Sequence, residues 1–353
     1  MAALKARFAT DAERDSWNEL VASNPGGGEV WASAEYASAK AFNGYSPKFV
    51  VVEGQPAKIA VLVLEKSVPM LGKLWYVPAG PPAPDASGVL ELSASIADLS
   101  RRNGAFMLKI EPRLLESAAT KKAIVDAGYV ETFRIIPNES TVVLDVSGEE
   151  AEVSGRFASS CRNKIRRAEK EGLVIRRVEP TETNCRIMFD LLAETSAGRF
   201  ELRPYEYYRL FWQSFIASGN GVLILGYKDE QPVAGLFGMI LGETSVYKDG
   251  ASVRQGLPTG SMNALQWELI LWAREHGAVR HDLCGAPHSS RVDDKTHPLY
   301  GVGQYKLAFN KAIIDHVGTF DLPLKGFAYK IWSTVGDRLA RRLALKRRQD
   351  PYY

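Results

Sequence analysis

The feature that most constrains the fold of this sequence is an order of predicted elements that occurs twice. KFVVVEGQPAKIAVLVLEKS contains two β-rich runs around a turn, and it is followed by KLWYVPAGPP, the helical VLELSASIADLSRRNGA and the strand FMLKIEP. The same order returns in GVLILGYKDEQPVAGLFGMIL, TSVYKDGAS, GSMNALQWELILWAREHGA and VRHDLCGA. Pro56 and Pro232 take matching positions in the two predicted turns, Gly-Gln-Pro and Glu-Gln-Pro. The sequence therefore predicts a duplicated unit.

Apolar periodicity and stop signals support the helix in each copy. In the second copy, Leu265, Leu269 and Ile270 share a helical face, and Gly277 predicts the end of the helix. Asn103 and Gly104 end the corresponding helix of the first copy. Hairpins that lead into a helix and one more strand are the plan of an acyltransferase-like domain. The expected fold is therefore α/β (α+β), with two tandem domains, each a mixed, mostly antiparallel sheet flanked by helices.

The length of 353 residues also indicates two domains, because a single core stops growing at about 250–300 residues. Between the copies, AEVSGRFASSCRNKIRRAEKEG and TNCRIMFDLLAETSAGRF predict helices on either side of the strand LVIRRVEP. These elements open the second domain after the strand STVVLDVS, near residue 145. We expect a first domain of residues 1–145, onto which residues 318–353 pack back, and a second domain of residues 146–317.

The composition excludes several classes of protein. Hydrophobic residues make up 46% and charged residues 24%, which is usual for a globular chain and excludes a disordered one. No apolar run reaches the about 18 residues of a membrane span, and the N-terminal residues resemble no secretory signal, so a cytoplasmic protein is expected. The three cysteines have no CxxC or CxxH spacing, which predicts reduced, partly buried thiols without disulfides or zinc.

The usual catalytic motifs are missing from the sequence. It contains no nucleophile elbow, HExxH, Walker loop or dinucleotide fingerprint. The spacing of the five histidines pairs none of them with a metal ligand or a nucleophile, so we interpret them as surface or satisfied polar residues. We therefore expect no metal and no cofactor.

Positive charge is unevenly distributed, although the formal net charge is only +3. Arg162, Arg166 and Lys170 stand at i, i+4 and i+8 of a predicted helix and form one cationic stripe. Such a stripe is usually a solvated face. The functional alternative is contact with phosphates, because guanidinium groups bind phosphate oxygens bidentately.

The segment GFAYKIWSTVGDRLARRLALKRR, near the C-terminus, predicts an amphipathic helix. Ile331, Val335, Leu339 and Leu343 share one face, and basic residues surround it. We expect this apolar face to pack on the first domain. Contact of the basic end with tRNA and a position on an anionic membrane surface are the alternatives.

A series of motifs over most of residues 145–310 resembles the FemA/FemB/FemX (FemABX) family. SCRNKIRRAEKEG is similar to the family segment R-x-x-I-R-x-A-x-K-x-G. Its later motifs are matched in order by ETSAGRFELRPYEYYRLF, VYKDGAS, LQWELILWAREHGAVRHDLCGA and GVGQYKLAFN. In the first domain, WASAEYASAK resembles a Trp-x-x-x-Lys helix and YVPAGPPAPD resembles Tyr-x-Pro-Arg-Gly-Pro-x-x-Asp. The chain has no coiled-coil insertion and therefore resembles the compact FemX form.

The resemblance implies tandem GNAT-like domains and an aminoacyltransferase. Such an enzyme moves glycine, alanine or serine from aminoacyl-tRNA to the stem-peptide amine of a peptidoglycan precursor, UDP-MurNAc-pentapeptide or lipid II. The first domain would bind the precursor, and the second would face the aminoacyl-tRNA and carry catalysis. A peripheral contact with the inner membrane face is also open. No cofactor is needed, because aminolysis of an aminoacyl ester is already downhill and mainly requires alignment and oxyanion stabilisation.

The matched motifs transfer roles to individual residues. The candidate catalytic residues are Lys306, Tyr247 and Asp85; the candidate precursor-binding residues are Lys40, Tyr76, Arg199, Arg203 and Tyr207; and the candidate tRNA or phosphate contacts are Arg162, Arg166 and Lys170. By resemblance, Lys40 and Arg203 would hold a diphosphate, and Tyr207 and Tyr247 would lie near the peptide stem and the reacting ester. Lys306 would meet the tRNA acceptor end or the developing oxyanion.

Several assignments within this set stay open. The register is open between Arg199 and Arg203, and between Tyr207 and Tyr208. The proton acceptor is open among Asp85, Asp282, a tyrosine and groups of the substrate. The alternative to each transferred role is a solvated or core residue with no part in catalysis.

Departures from the family pattern keep other functions open. Ala79 stands where arginine is usual, one residue is inserted before Asp85, and Tyr305 replaces a common phenylalanine. One alternative is an acyl-CoA-dependent N-acyltransferase, because residues 254–260 form a Gly-rich turn where such enzymes bind pyrophosphate, although Pro258 removes one backbone donor. The others are a tRNA-dependent enzyme that forms an amide on a small amine, and an RNA-binding module.

Overall fold

The computed structural model describes residues 4–54, 57–136, 139–198 and 201–348. Contacts divide the chain into two compact units, which we call unit 1 (Met1–Glu139 with Asp315–Tyr353) and unit 2 (Ser140–Ile314). Within the described ranges, no helix combines the length and the apolar character needed to cross a bilayer.

Groups of strands and groups of helices follow one another along the described chain. The strands are β1 (Lys5–Phe8), β2 (Ser46–Glu53), β3 (Ile59–Val68), β4 (Gly72–Val77), β5 (Ala105–Ile110), β6 (Val130–Thr132), β7 (Ser140–Thr141), β8 (Val143–Asp145), β9 (Val174–Val178), β10 (Gly221–Lys228), β11 (Gln231–Leu241), β12 (Thr244–Ser252), β13 (Arg280–Asp282), β14 (Ile314–Asp315) and β15 (Thr319–Pro323). The helices are α1 (Asp11–Asp15), α2 (Trp17–Ala22), α3 (Ala34–Phe42), α4 (Ala86–Arg102), α5 (Ala118–Asp126), α6 (Glu150–Gly155), α7 (Ser159–Lys170), α8 (Glu182–Ser196), α9 (Tyr205–Ala217), α10 (Ser261–Glu275), α11 (Tyr300–Leu307), α12 (Gly326–Ile331) and α13 (Asp337–Arg348). Short 3₁₀ turns lie at Val30–Ala32 and Ser289–Arg291, and a π turn lies at Trp332–Gly336.

The two units contain sheets of the same plan, which confirms the predicted duplication. Unit 1 has the strand order β1-β2-β3-β4-β5-β15-β6, and unit 2 has β8-β13-β12-β11-β10-β9. In each unit, three consecutive antiparallel strands are followed by a helix and then by one more strand. That last strand pairs parallel with the third, as β5 does with β4 and β13 does with β12. The helix is α4 in unit 1 and α10 in unit 2, and each packs its apolar face into the core of its own unit.

The predicted turn of the second hairpin is wrong by two residues. Lys228 pairs with Gln231, so Asp229 and Glu230 form the turn, and both have positive φ. Two-residue turns of this handedness match the twist of the flanking strands. Pro232 lies inside β11, next to a register shift in the ladder, and Pro56 lies outside the described residues.

The helix predicted over residues 151–172 is two helices. α6 ends at Gly155 and α7 begins at Ser159, with Ala158 in an extended conformation between them. Phe157 is 3% exposed, and its ring packs edge to face on Trp267 and on Phe309. Burial of this side chain requires the chain to leave the helical path, which the sequence pattern did not reveal.

The boundary between the units lies earlier than the expected seam at residue 145. It falls between Glu139 and Ser140, because β8 pairs antiparallel with β13 and so belongs to the sheet of unit 2. The second boundary lies between Ile314 and Asp315, and the segment after it joins unit 1 through β15, which pairs with β5 and β6.

The amphipathic C-terminal segment is helical as predicted, but its expected packing is wrong. Ile331, Val335, Leu339 and Leu343 are 39%, 62%, 53% and 39% exposed. Trp332 is buried instead, and its ring packs edge to face on Phe106 of β5 with 5.9 Å between the ring centroids. Trp332 therefore helps to attach the segment to the rest of unit 1, while the apolar face is left at the surface.

Candidate functional site

The parallel strands β12 and β13 separate at their carboxyl ends. They pair only from Thr244 to Val246 and from Arg280 to Asp282, and β12 then continues to Ser252 while β13 stops. The gap opens beside Tyr247 on one strand and beside the turn after Asp282 on the other. Beyond Val246 and Asp282, the backbone groups of the two strands no longer pair with each other and need other partners.

Lys306 fixes the turn that borders this gap. Its side chain is 5% exposed, and Nζ donates to the carbonyl oxygens of Cys284 (2.9 Å) and Gly285 (2.6 Å). Cys284 has φ of 57°, and its backbone N–H donates to Asp282 Oδ1 (2.7 Å). Burial lowers the pKa of Lys306. The turn is therefore held from one side by a carboxylate and from the other by an ammonium group.

Tyr247 lies on the other side of the gap, with its ring centroid 5.7 Å from Lys306 Nζ. A register shift opposite Phe237 and Gly238 makes Lys248 an extra residue in β12. A Cβ at Gly250 would stand 1.7 Å from Tyr247 Oη, so the phenol lies directly on this glycine. Burial and the nearby Asp249 carboxylate raise the pKa of Tyr247, which keeps it a neutral hydrogen-bond donor.

A second cluster links the bulge in β12 to α9. Arg203 lies over the ring of buried Tyr207, 4.8 Å from its centroid. Lys248 Nζ is 2.8 Å from Asp249 Oδ1, and Trp212 Nε1 donates to Asp249 Oδ2 (3.0 Å). Burial lowers the pKa of Lys248, but the Asp249 carboxylate together with Tyr207 and Tyr208 raises it by more, so the net shift is upward.

The charged pair at the bulge was missed by the sequence analysis. Lys248 and Asp249 stand between apolar residues inside the strand motif VYKDGAS, and this pattern was the available signal. This half-buried ion pair, with the Trp212 N–H as its third member, connects the strand to α9.

In unit 1, two further predicted residues are packed among aromatic and acidic groups. Lys40 is 5% exposed, with Nζ 5.5 Å from the Tyr36 ring centroid and 5.7 Å from that of Tyr45. Tyr76 is fully buried, and its hydroxyl donates to Glu111 Oε2 at 2.5 Å. Burial raises the pKa of Glu111.

A pocket in unit 1 is lined by Glu111 and two arginines. Its lining includes Ala79, Arg113, Arg134 and His316. Arg113 Nη1 lies 3.0 Å from His316 Nε2, and Arg134 Nη2 lies 3.3 Å from the carbonyl oxygen of His316. Arg113, Arg134 and His316 come from three separate segments of the chain, so no local sequence pattern indicated this pocket.

The predicted cationic stripe on α7 is only partly available. Arg162 is half-buried and donates to the carbonyl oxygens of Gly155 and Phe157, so it caps the end of α6. Arg166 and Lys170 are exposed. The stripe available for contact with a phosphate is therefore shorter than the predicted one.

Two predicted residues stand apart from these clusters. Asp85 is the N-cap of α4, where its Oδ1 accepts from the backbone N–H of Gly88 at 2.9 Å. This cap accounts for the carboxylate structurally, and its catalytic role stays a prediction. Arg199 lies outside the described residues.

The Gly-rich turn before α10 is closed by protein groups. The backbone N–H of Thr259 donates to Glu171 Oε2 (2.6 Å), and that of Arg254 donates to Glu194 Oε1 (2.9 Å). The Thr259 amide and Arg167 lower the pKa of Glu171. A Cβ at Gly260 would stand 2.2 Å from the carbonyl oxygen of Lys164, so α7 covers the start of α10.

Comparisons with known proteins agree with this architecture. Residues 155–306 match the family described as Acetyltransferase (GNAT) domain. The lipid II:glycine glycyltransferase of Staphylococcus haemolyticus (strain JCSC1435) is 31% identical over 112 residues, which are 31% of this chain and 25% of that protein. The crystal structure of FemX matches with a TM-score of 0.77 at 18% identity, over 94% of this chain and 99% of that one. The resemblance to the FemABX family is confirmed.

The FemX match also confirms the expected tandem GNAT-like fold. A second structure of this fold, the C-terminal domain (DUF2156) of a putative lysylphosphatidylglycerol synthetase from Agrobacterium fabrum, matches with a TM-score of 0.52 at 15% identity, over 91% of this chain and 96% of that one. The chain spans about a quarter of the length of the staphylococcal relative it matches.

Proposed function

We propose that this chain is an aminoacyltransferase that carries an amino acid from aminoacyl-tRNA to the stem-peptide amine of a peptidoglycan precursor. The observation that carries the proposal is the gap between β12 and β13, where Lys306 and Tyr247 face each other on an acyltransferase scaffold. The name of the staphylococcal relative, lipid II:glycine glycyltransferase, supports glycine as donor group and lipid II as acceptor. The alternative donor groups are alanine and serine, and the alternative acceptor is UDP-MurNAc-pentapeptide.

The chemistry needs an oriented ester carbonyl and a donor for the oxyanion. An ammonium group has three N–H donors, and among the described residues Cys284 and Gly285 take two of those of Lys306. The third is proposed to bind the carbonyl oxygen of the aminoacyl ester as negative charge develops on it. The neutral phenol of Tyr247 is proposed to donate to the same substrate from across the gap.

The precursor is proposed to bind unit 1 through its anionic groups. Arg113 and Arg134 provide two guanidinium groups in the wall of a pocket there, and they add to Lys40 and Tyr76, which the family resemblance assigns to the precursor. Arginine suits this function because its fork of N–H donors fits carboxylate and phosphate oxygens.

Exposed Arg166 and Lys170 on α7 are proposed to contact tRNA phosphates. This hypothesis predicts that Arg166→Gln/Lys170→Gln raises the KM for aminoacyl-tRNA while kcat is kept, since backbone contacts hold the donor without entering the reaction. A matched control is Arg102→Gln/Lys122→Gln, which removes two exposed cations of unit 1. Equal KM values for aminoacyl-tRNA in both double variants would show that α7 does not contact the tRNA.

Acyl-CoA is a weaker candidate donor for a specific reason. GNAT enzymes that use CoA bind its pyrophosphate with free backbone N–H groups at a helix N-terminus. The corresponding turn here donates its Thr259 and Arg254 amides to Glu171 and Glu194, and these carboxylates would repel a pyrophosphate.

One assay separates these donors. Purified protein is incubated with radiolabelled glycyl-, alanyl- or seryl-tRNA and with lipid II or UDP-MurNAc-pentapeptide, and a parallel reaction contains labelled acetyl-CoA. We expect label to reach a precursor from aminoacyl-tRNA alone. Transfer from acetyl-CoA without transfer from any aminoacyl-tRNA would reject the proposal. Transfer from aminoacyl-tRNA to small amines in preference to both precursors would mean that the acceptor is a small amine.

A further inference from the structure

The C-terminal segment presents a continuous apolar surface that its packing on unit 1 leaves uncovered. We call it the C-terminal stripe, and it consists of Phe327, Ile331, Val335, Leu339 and Leu343. Phe327 is 81% exposed and Val335 is 62% exposed. Large apolar side chains in a row at the surface are unusual in a protein that contacts only water.

The π turn keeps the members of the stripe in line. On an α-helix, each step of four residues rotates the side chain by about 40°, so five residues spaced by four would wind away from a single face. The π turn Trp332–Gly336 places an extra residue in one turn, which rotates the residues after it back towards the first two. Trp332 in the same turn is 3% exposed and anchors the segment to Phe106.

Positive charge surrounds the C-terminal stripe. Residues 325–346 contain six cations, Lys325, Lys330, Arg338, Arg341, Arg342 and Lys346, and one carboxylate, Asp337. Asp337 is 8% exposed and pairs with Arg341 at 2.8 Å. Lys330, Arg338, Arg342 and Lys346 are exposed on the same segment.

We propose that the C-terminal stripe docks this chain on the surface of an anionic lipid bilayer. The apolar side chains would enter the boundary between head groups and acyl chains, while the cations would contact lipid phosphates. An RNA surface would satisfy the cations but would leave Phe327 and Val335 in water. A second copy docked on the stripe would bring two cationic borders together, which opposes self-association. The inference does not depend on the proposed transfer activity.

The test measures binding of the full chain to vesicles by co-sedimentation. One set of vesicles contains equal parts of phosphatidylcholine and phosphatidylglycerol, and the other contains phosphatidylcholine alone. We expect binding to the anionic set, weakened by salt, and little binding to the neutral set. Two double variants should each weaken binding by about tenfold: Phe327→Ser/Val335→Ser, which removes apolar side chains, and Arg338→Gln/Arg342→Gln, which removes cations. The matched control is Met70→Ser, which removes a fully exposed apolar side chain from unit 1.

Each other outcome overturns the proposal. Wild-type protein that fails to bind anionic vesicles at low salt rejects it, and so does equal loss in the Met70→Ser control. Retained vesicle binding in Phe327→Ser/Val335→Ser, together with a change from dimer to monomer in analytical ultracentrifugation, would assign the stripe to a second copy. Unchanged vesicle binding in Arg338→Gln/Arg342→Gln, together with lost tRNA binding, would assign the cations to RNA.

Discussion

The ammonium nitrogen of Lys306 lies 5.7 Å from the ring centroid of Tyr247, and it donates to the carbonyl oxygens of Cys284 and Gly285 at the same time. One side chain therefore contacts both borders of the gap between β12 and β13. Its burial and its charge give it two separable roles, holding the turn and donating to a substrate.

Replacement of Lys306 by methionine should abolish measurable transfer while the chain stays folded. Loss of one donor to a developing oxyanion lowers kcat by about 10²–10³-fold. The substitution also leaves two carbonyl oxygens without their donor, at a cost to unfolding free energy of about 1–3 kcal/mol. Single-turnover transfer and thermal unfolding measure the two effects, and Lys311→Met, an exposed lysine of the same unit, is the control. A Lys306→Met variant with near-normal kcat would limit Lys306 to a structural role.

Replacement of Gly250 by alanine should displace Tyr247. The new Cβ would lie 1.7 Å from Tyr247 Oη, so the ring must move away from this position. We expect Gly250→Ala to lower the transfer rate and the stability together. In a double-mutant cycle with Tyr247→Ala, the cost of Gly250→Ala to unfolding free energy should largely disappear. Additive effects of the two substitutions would contradict this close contact.

Local patterns predicted the repeated part of the fold, and the site was harder to predict. Period-2 and helical runs on either side of turn residues identified both sheets and the helices that end just before Gly104 and Gly277, because these signals are contained in neighbouring residues. The clamp on Cys284 by Lys306 joins segments far apart in sequence, and so does the closure of the Gly-rich turn by Glu171. Contacts of this kind depend on the tertiary arrangement, which a single sequence does not encode in any local pattern.

The buried side chain of His281 should make stability depend on pH. Its Nδ1 lies 2.7 Å from Ser245 Oγ and its Nε2 lies 2.7 Å from Gln266 Nε2, an arrangement that suits the neutral ring. Burial lowers its pKa from 6.5 to about 4. The folded state therefore disfavours the protonated form, and the stability gained above pH 6.5 is lost as the pH falls towards 4.

Unfolding free energy should fall by about 2 kcal/mol between pH 7 and pH 5 through this histidine alone. Hydrogen exchange of the β12 and β13 amides at several pH values measures the effect within unit 2. His281→Asn should be less stable at pH 7, because Ser245 and Gln266 lose a partner, but its stability should depend less on pH in this interval. The same pH slope in wild type and variant would assign the dependence to other groups.

The packing of α7 on the start of α10 can be tested with two glycines in one turn. Gly256 and Gly260 have φ of 75° and 86°, so alanine at either position incurs the strain of left-handed backbone, about 1–2 kcal/mol. A Cβ at Gly256 meets no atom within 4 Å, whereas a Cβ at Gly260 would stand 2.2 Å from the carbonyl oxygen of Lys164. Gly260→Ala should therefore lower the unfolding free energy by about 1–3 kcal/mol more than Gly256→Ala in denaturant titrations. Equal costs for the two variants would mean that α7 does not press on this turn.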